Sequence, residues 1–455
     1  INTLPSAWEG LVRLPASCRG RRWTDEEGRE VPILELGEED CRALVRIPAQ
    51  GTLTLRENTT PLADPEGASV DGATPGGSAA EPAAVEEEFP GMLWLSNERV
   101  AYGFAQESMR LVCLRDFEEG RTLRFGCGGN DLLLYVDRPN NYEGWDLDQW
   151  YRTEGVPQRP HAVQVDGLRR SAAGCSLRVR YEIGRSVIRQ TLVLPRGSKR
   201  LDFETEVDWH EQRRVLRVEF PVETARPRGF YEIQYGFVER PLHANTSWEM
   251  AKFEVPCQRY IDLSDPDGGL ALLNDCKYGS KLRRDALELT LLRSALYPDY
   301  RHEEGLHRFT YSLLPHRGNP AENTLVSDAA DGLNREPVVL PGCAALLRHP
   351  SGYRLLPGSS VKLEVVKRAE DSDARVLRLV ETCGRPSNCV LLTPPGAPAP
   401  VPANLLEEAN PEQPEARVTE LTPRPGDLGE GVSADACKVL RLRPFQILTL
   451  IEKRD

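Results

Sequence analysis

A period of two runs through the middle of this chain. From Trp94 to about Gly318, short apolar or alternating runs follow one another between turn residues, and no long helical spacing interrupts them. Leu177-Arg-Val-Arg-Tyr-Glu-Ile183 alternates cleanly, which sends one row of side chains into a core and the other into water. Leu132-Leu-Leu-Tyr-Val136, Val187-Ile-Arg-Gln-Thr-Leu-Val-Leu194 and Phe203-Glu-Thr-Glu-Val207 are further short runs of the same class. Asn140 with Asn141, Asp265-Pro-Asp-Gly-Gly269 and Glu303-Glu-Gly305 supply turns between them. Segments like these bury their apolar faces by stacking sheet on sheet, so an all-β protein with a large two-sheet β-sandwich is predicted.

At 455 residues the chain is too long for one ordinary domain, and 36 Pro and 37 Gly against 3 Met agree with many short strands. Residues 1–60 form a first small β-domain on Gly10-Leu-Val-Arg-Leu14, Val31-Pro-Ile-Leu-Glu-Leu36 and Ala43-Leu-Val-Arg-Ile47. Residues 61–88 are dominated by Ala, Gly, Pro, Ser and Glu without an aromatic. Such a segment buries too little to offset its ordering entropy and is expected to be a mobile surface excursion, a partner-binding tail being the other reading. The large sandwich takes residues 89–335, closing on a short helix-compatible spacing from Asn319-Pro-Ala-Glu to Ala330. A C-terminal β-domain takes residues 336–455, with Pro394-Pro-Gly-Ala-Pro-Ala-Pro-Val-Pro402 as an extended loop.

The formal net charge of −12 argues against nucleic acid, because neutralising phosphates needs a basic surface. Arg19-Gly-Arg-Arg22 and the pair Arg213 and Arg214 are diluted by acidic neighbours and read as solvated faces. The 11 cysteines lack metal-site spacing; Cys383 and Cys389 are the only close pair. Buried, reduced thiols, among them Cys113, Cys127, Cys257 and Cys276, fit best, and with them a cytoplasmic setting. No apolar run reaches the length of a membrane-spanning helix.

Two segments are explained by neither periodicity nor composition. Residues 235–254, Tyr235-Gly-Phe-Val-Glu-Arg-Pro-Leu-His-Ala-Asn-Thr-Ser-Trp-Glu-Met-Ala-Lys-Phe-Glu254, crowd polar groups that need partners. It is either a covered loop whose side chains satisfy neighbouring backbone or a wall of a carbohydrate cleft, with amides, hydroxyls and an indole facing sugar. Asp137-Arg-Pro-Asn-Asn-Tyr-Glu-Gly-Trp-Asp-Leu-Asp-Gln-Trp-Tyr151 packs rings and acids together, as a sugar site or as an aromatic turn closing the core. In a strand, Asp146 and Asp148 would share one face.

Together with Asn2-Thr-Leu-Pro, Asp262-Leu-Ser, Ala271-Leu-Leu-Asn-Asp-Cys-Lys-Tyr-Gly279 and Pro444-Phe-Gln-Ile-Leu-Thr-Leu450, these segments resemble the C-terminal half of family 38 glycoside hydrolases. Those are α-mannosidases, and the likeness is to the cytosolic and bacterial branch. The resemblance implies a galactose-mutarotase-like β super-sandwich flanked by smaller β-domains. It also implies retaining hydrolysis of terminal α-D-mannosyl residues, with an Asp nucleophile and a zinc ion in an N-terminal catalytic domain. None of the histidines His161, His210, His243, His302, His307, His316 and His349 stands two residues before an Asp, so the family's His-x-Asp zinc motif is not in this chain.

The chain, opening on Ile1, therefore reads as a C-terminal part of a longer polypeptide or as the second chain of a split enzyme. No catalytic or metal-ligating residue is expected in it, and it is expected to bind no zinc and to be inactive alone. Its partners are the catalytic domain and mannosides, neither nucleic acid nor membrane, with self-association left open. Substrate binding falls to Tyr142, Trp145, Asp146, His243, Asn245 and Arg293. For Arg240, His243 and Asn245 the competing reading is bonding within the loop, and for Arg293 a salt bridge to Asp299, Glu303 or Glu304. A non-catalytic carbohydrate-binding or assembly module is the alternative function. A mutarotase-like enzyme using His210 with Glu211, or His302 with Glu303, ranks below both, since adjacent strand residues face opposite ways.

Overall fold

The computed structural model describes residues 1–4, 6–37, 39–49, 51–58, 91–222, 226–265, 268–299, 303–342, 352–394, 396–409, 419–421 and 437–452. The low-complexity segment 61–88 and His302 lie outside them. Every described strand pairing is antiparallel. No described helix is long and apolar enough to cross a membrane.

In the first unit, Trp8–Leu14 pairs with Cys41–Ile47, which pairs in turn with Ile33–Glu35. A second sheet joins Glu30–Val31, Arg22–Thr24 and Arg56–Asn58, and Trp8, Val12, Val31, Val45 and Ile47 share the core. The single strand expected from Val31 to Leu36 is two strands in different sheets. Pro32 brings no amide hydrogen and a fixed φ, so the ladder stops there and the chain crosses over.

The central unit stacks two large sheets. One runs, in spatial order, through Ala162–Ser171, Gly174–Ile183, Ser186–Pro195, Leu201–Trp209, Gly305–His316, Gly268–Asn274, Tyr260–Asp265, Arg228–Ile233 and Gly236–Pro241. The other runs through Asp131–Val136, Arg214–Phe220, Ala286–Ser294, Gly279–Arg283 and Val255–Pro256. Leu177, Ile188, Leu192 and Phe203 meet Leu132, Leu216, Phe220 and Leu289 between them. Three polar side chains in this core pair with one another: Gln190 Nε2 donates to Tyr311 Oη at 2.6 Å, which donates to Asn130 Oδ1 at 2.5 Å, and Asn130 Nδ2 returns to Gln190 Oε1 at 2.9 Å. Closing such a triangle avoids the cost of burying a lone polar group. A third sheet, Arg121–Gly129, Leu111–Asp116, Val100–Ala105 and Met92–Ser96, packs its Tyr102, Phe104 and Leu114 into the same core.

Cys113 and Cys257 are buried free thiols, whereas Cys127 and Cys276 are exposed, against expectation. Cys127 sits where the pairing of Arg121–Gly129 is interrupted between Arg124 and Gly129, and Cys276 in the turn after Gly268–Asn274, so neither side chain follows a strand's inward row.

The C-terminal unit stacks Arg354–Leu355, Ser387–Leu392, Cys437–Leu442 and Thr419–Leu421 on Val361–Arg368, Arg375–Glu381, Ile447–Glu452 and Val401–Ala403. The Pro-rich stretch expected to be a loop thus ends in a strand: Val401–Ala403 pairs with Ile447–Glu452.

The helix Leu325–Asn334 starts later than the spacing from Asn319 predicts, because Asn319 accepts the amides of Glu322 and Asn323 in a turn of its own. Val326 and Ala330 pack on Tyr260, Ala271 and Leu314, on the outer face of the largest sheet. The helix also carries Asp331, fully buried, which accepts from Lys362 Nζ at 2.6 Å and from Arg259. Arg259 continues to Glu232 at 2.5 Å, Lys362 to Asp328 at 2.8 Å, and Arg335 to Glu364 at 3.0 Å. The sandwich and the C-terminal unit are therefore joined by ion pairs centred on the buried Asp331 carboxylate. Burial alone would raise the Asp331 carboxyl, but Lys362 and Arg259 outweigh it and hold it below the usual range. Asp331→Asn leaves the buried Lys362 and the half-buried Arg259 short of a countercharge and is expected to destabilise by about 3–5 kcal/mol, read from urea unfolding curves. A curve unchanged from wild type would show that these cations find other partners.

Candidate functional site

Inward rows in the five-stranded sheet imply outward ones. Leu216, Val218, Leu287 and Leu289 face the core, so Arg217, Glu219, Glu288 and Thr290 lie on the opposite face. That face is covered. The side chains of Arg217 and Glu288 are each 2% exposed, with Nη2 of the arginine donating to the carboxylate at 2.9 Å. Arg217 Nη1 also donates to Thr290 Oγ1 at 2.6 Å and to Glu254. Arg152 binds Glu288 through both terminal nitrogens, at 3.2 and 2.5 Å, and Arg283 bridges Glu288 and Glu219. Tyr151 lies beneath the Arg152 and Arg217 guanidinium groups, 5.2 and 5.7 Å from its ring centre, and its hydroxyl reaches Glu254 at 3.3 Å. Burial would raise the Glu288 carboxyl, but the charges of Arg217, Arg152 and Arg283 hold it down at about 2.

Tyr151 ends the Trp-Asp segment, residues 137–151, with Arg152 next in the chain, and Glu254 ends the Arg-Pro-x-His segment, residues 235–254. Both segments singled out in the sequence are thus pinned to one face, through Tyr151, Arg152 and Glu254, none of which was among the expected substrate-binding residues. Arg217 and Glu288 escaped notice because an outward charge in an alternating strand reads as solvated. No described hydrogen bond joins residues 142–146 directly to 243–248.

The Trp-Asp segment is a turn, not a strand, so Asp146 and Asp148 do not share a strand face. Tyr142 adopts φ +51°, and its carbonyl accepts the amides of Trp145 and Asp146 at 2.7 and 2.8 Å. Asp148 accepts the Asn140 amide at 2.8 Å and leads into the single 3₁₀ turn Gln149–Arg152. Arg293 holds this turn from below: Nε donates to Asp137 at 2.6 Å, and Nη2 to the carbonyls of Glu143 (2.8 Å) and Asp146. Its ionic partner is Asp137, not Asp299, Glu303 or Glu304, and its guanidinium is turned to the protein rather than offered to a ligand. The rings above it are open to solvent, Tyr142 at 72% and Trp145 at 67% exposure, while the exposed Asp146 carboxylate has no described hydrogen-bond donor.

The second segment begins as the edge strand Gly236–Pro241, where a wholly irregular loop was expected. At Gly236 a Cβ would stand 2.9 Å from the Phe445 ring of the C-terminal unit, so that close approach needs glycine. His243 Nδ1 accepts the Asn245 amide at 3.4 Å, and Thr246 Oγ1 accepts from Glu249 to cap the single helical turn Ser247–Met250. Asn245 is exposed, and so is Trp248. The Arg240 guanidinium sits 5.6 Å from the Tyr231 ring centre. Elsewhere, His210 contacts Asp208 at 2.9 Å and Glu304 at 3.5 Å, whereas Glu211 turns to the Arg185 amide and Ser186, so this pair does not converge.

Among the described residues no group of three or more His, Cys, Asp and Glu is placed to hold a metal ion. The described residues do not fit a zinc site.

Residues 95–301 match the Glycosyl hydrolases family 38 C-terminal domain, and residues 360–450 the Glycosyl hydrolases family 38 C-terminal beta sandwich domain. Alpha-mannosidase 2C1 of Homo sapiens is 34% identical over 82% of the chain and 34% of its own length. Alpha-mannosidase G of Dictyostelium discoideum is 30% identical over 66% of the chain and 27% of its own length. The chain thus spans about a third or less of these relatives. An alpha-mannosidase crystal structure from Enterococcus faecalis V583 superposes over 99% of the chain and 55% of its own, with TM-score 0.64 and 17% identity, a likeness of fold.

Two outcomes follow from this face. The Glu288 carboxyl titrates at 4.5 when unperturbed and near 2 when folded, so its contribution is complete above about pH 4.5 and lost as pH falls toward 2. In acid unfolding series, Glu288→Gln should start about 3–5 kcal/mol less stable at neutral pH and decline less steeply with acid; parallel curves would remove Glu288 from the acid response. Arg293→Lys keeps a charge opposite Asp137 but loses the fork that also reaches two carbonyls. A stability loss of about 1–3 kcal/mol, with faster amide exchange at Trp145 and Asp146, is expected; unchanged exchange there would mean the turn holds itself.

Proposed function

We propose, for a chain that belongs to the family 38 glycosyl hydrolases through its two C-terminal domains, that it is the C-terminal β-half of an α-mannosidase hydrolysing terminal α-D-mannosyl residues of oligosaccharides with retention. In this reading the nucleophile and the zinc ion belong to an N-terminal half, either upstream on the same polypeptide or on a separate subunit, and this chain by itself is inactive. Retention requires two carboxyl groups about 5–5.5 Å apart. The carboxylates described above are committed to protein donors or open to solvent, and none is assigned to that pair. The free thiols suit a reducing compartment, and the cytoplasm is the proposed location.

The work left to this half is shaping the mannose cleft. Tyr142, Trp145 and Asp146, with the loop from His243 to Trp248, line the face that meets the catalytic domain. Arg293, expected to bind substrate, serves instead by setting the turn that carries Trp145 and Asp146. One observation carries the reading: exposed rings and a carboxylate without a described donor stand together on a turn fixed from beneath by Arg293. Rings offer faces to sugar C–H groups and a carboxylate accepts hydroxyls, and a fixed turn holds both without ordering cost.

Asp146→Asn and Trp145→Ala, made in the enzyme complete with its catalytic half and assayed on an aryl α-mannoside, are each expected to lower kcat/KM roughly tenfold to hundredfold, about 1.5–3 kcal/mol. Thermal melts should stay near wild type, both side chains being exposed. Unchanged kcat/KM in both variants, or losses explained by unfolding, would favour a carbohydrate-binding or assembly module without a part in the cleft.

A further inference from the structure

Beside Trp145 stands a second exposed ring that neither the sequence motifs nor the family match singles out. Tyr297 is 63% exposed, with its ring centre 6.4 Å from that of Trp145 and the planes inclined at 58°. Its loop comes from the far end of Ala286–Ser294, yet it is fastened to the Trp-Asp turn. Glu143 Oε1 accepts the Leu296 amide at 3.1 Å while the same carboxylate takes two bonds from Arg213, at 2.8 and 3.3 Å. The contact is backbone to backbone: a Cβ at Gly144 would lie 2.7 Å from the Tyr297 carbonyl oxygen and 2.9 Å from Pro298 Cδ. Two rings this open, on loops this firmly tied, are a prepared surface rather than loose side chains.

We infer that Trp145 and Tyr297 form a shelf for a pyranose ring of an oligosaccharide beyond the mannose whose bond is cleaved. The inference rests on the mannosidase reading and adds Tyr297 to it as a specificity-determining residue. Three features select a sugar. The inclined rings present one face for stacking and one hydroxyl, and the Tyr297 hydroxyl makes no described hydrogen bond. Asp146, next to Trp145 in the chain and exposed, offers a carboxylate without a described donor, which sugar hydroxyls satisfy and an apolar protein surface leaves stranded. The shelf is too open to exclude water, which suits a sugar outside the reacting centre rather than within it.

The test compares two substrates in the complete enzyme: α-mannosyl fluoride, which carries no second ring, and an α-linked mannobiose. Tyr297→Ala is expected to lower kcat/KM for mannobiose about tenfold, mainly through KM, and to change that for the fluoride less than about twofold, with Tyr297→Phe recovering most of the loss. Equal losses on both substrates, or no loss on mannobiose, overturn the shelf. Trp145→Ala and Asp146→Asn, run alongside, separate the two failures. If they impair the enzyme while Tyr297→Ala leaves mannobiose untouched, the cleft stands and the shelf falls; if they too are silent on both substrates, the cleft itself is misplaced.

Discussion

A guanidinium buried against two carboxylates organises the functional face. Arg217 has no access to water, so its charge is tolerable only with Glu288 and Glu254 held at bonding distance. Taking ions out of water costs several kcal/mol each, and good geometry with all partners present is what offsets it. Glu254 can be in place only if the chain after the helical turn Ser247–Met250 folds down onto the sheet. Glu288 keeps its charge in the interior with help from Arg152, which draws in the 3₁₀ turn behind Trp145. The position of two distant segments thus becomes a condition for keeping one sheet face intact.

The same solution appears on the other large sheet. There Arg259, Glu232, Asp331 and Lys362 stand in a chain, and what they fasten is the helix Leu325–Asn334 and, beyond it, the C-terminal unit. Apolar packing supplies each sandwich with its core, but it is non-directional and does not specify which covering piece lies where. Paired charges with fixed fork geometry do, which accounts for finding them where separate parts of the chain meet. The Trp-Asp turn repeats the pattern on a smaller scale, with Arg293 and Arg213 gripping it from two sides.

Strands were readable wherever alternation decided which side chains were inside, as in Gly174–Ile183 and Leu201–Trp209. Reading failed where one residue changed the path: Pro32 moved the chain between sheets, and Tyr142 in a left-handed conformation made a turn of what alternation could have drawn as a strand. The motif segments were recognisable because their composition fits no core. Their supports were not, since Arg217 and Glu288 look like any solvated charge until a covering segment is seen above them. Tyr297 was hidden for a different reason. Its partner lies some 150 positions earlier in the chain, and only the close approach at Gly144 reveals that the two loops are one surface.

The borders of the nine-stranded sheet have a bearing on how the molecule meets others. Ala162–Ser171 exposes Gln164, Asp166, Arg169 and Arg170 and breaks register between Val165 and Leu168, while Gly236–Pro241 carries Glu239 and Arg240 and ends in a proline. Charges, a bulge and a missing amide each spoil a border as a template for another strand. Extension of the sheet from one molecule into the next is thereby discouraged at both margins, which guards a chain with this much β-structure against aggregation. Contact with other macromolecules is steered away from backbone pairing and toward side chains on the loops, where recognition can be selective.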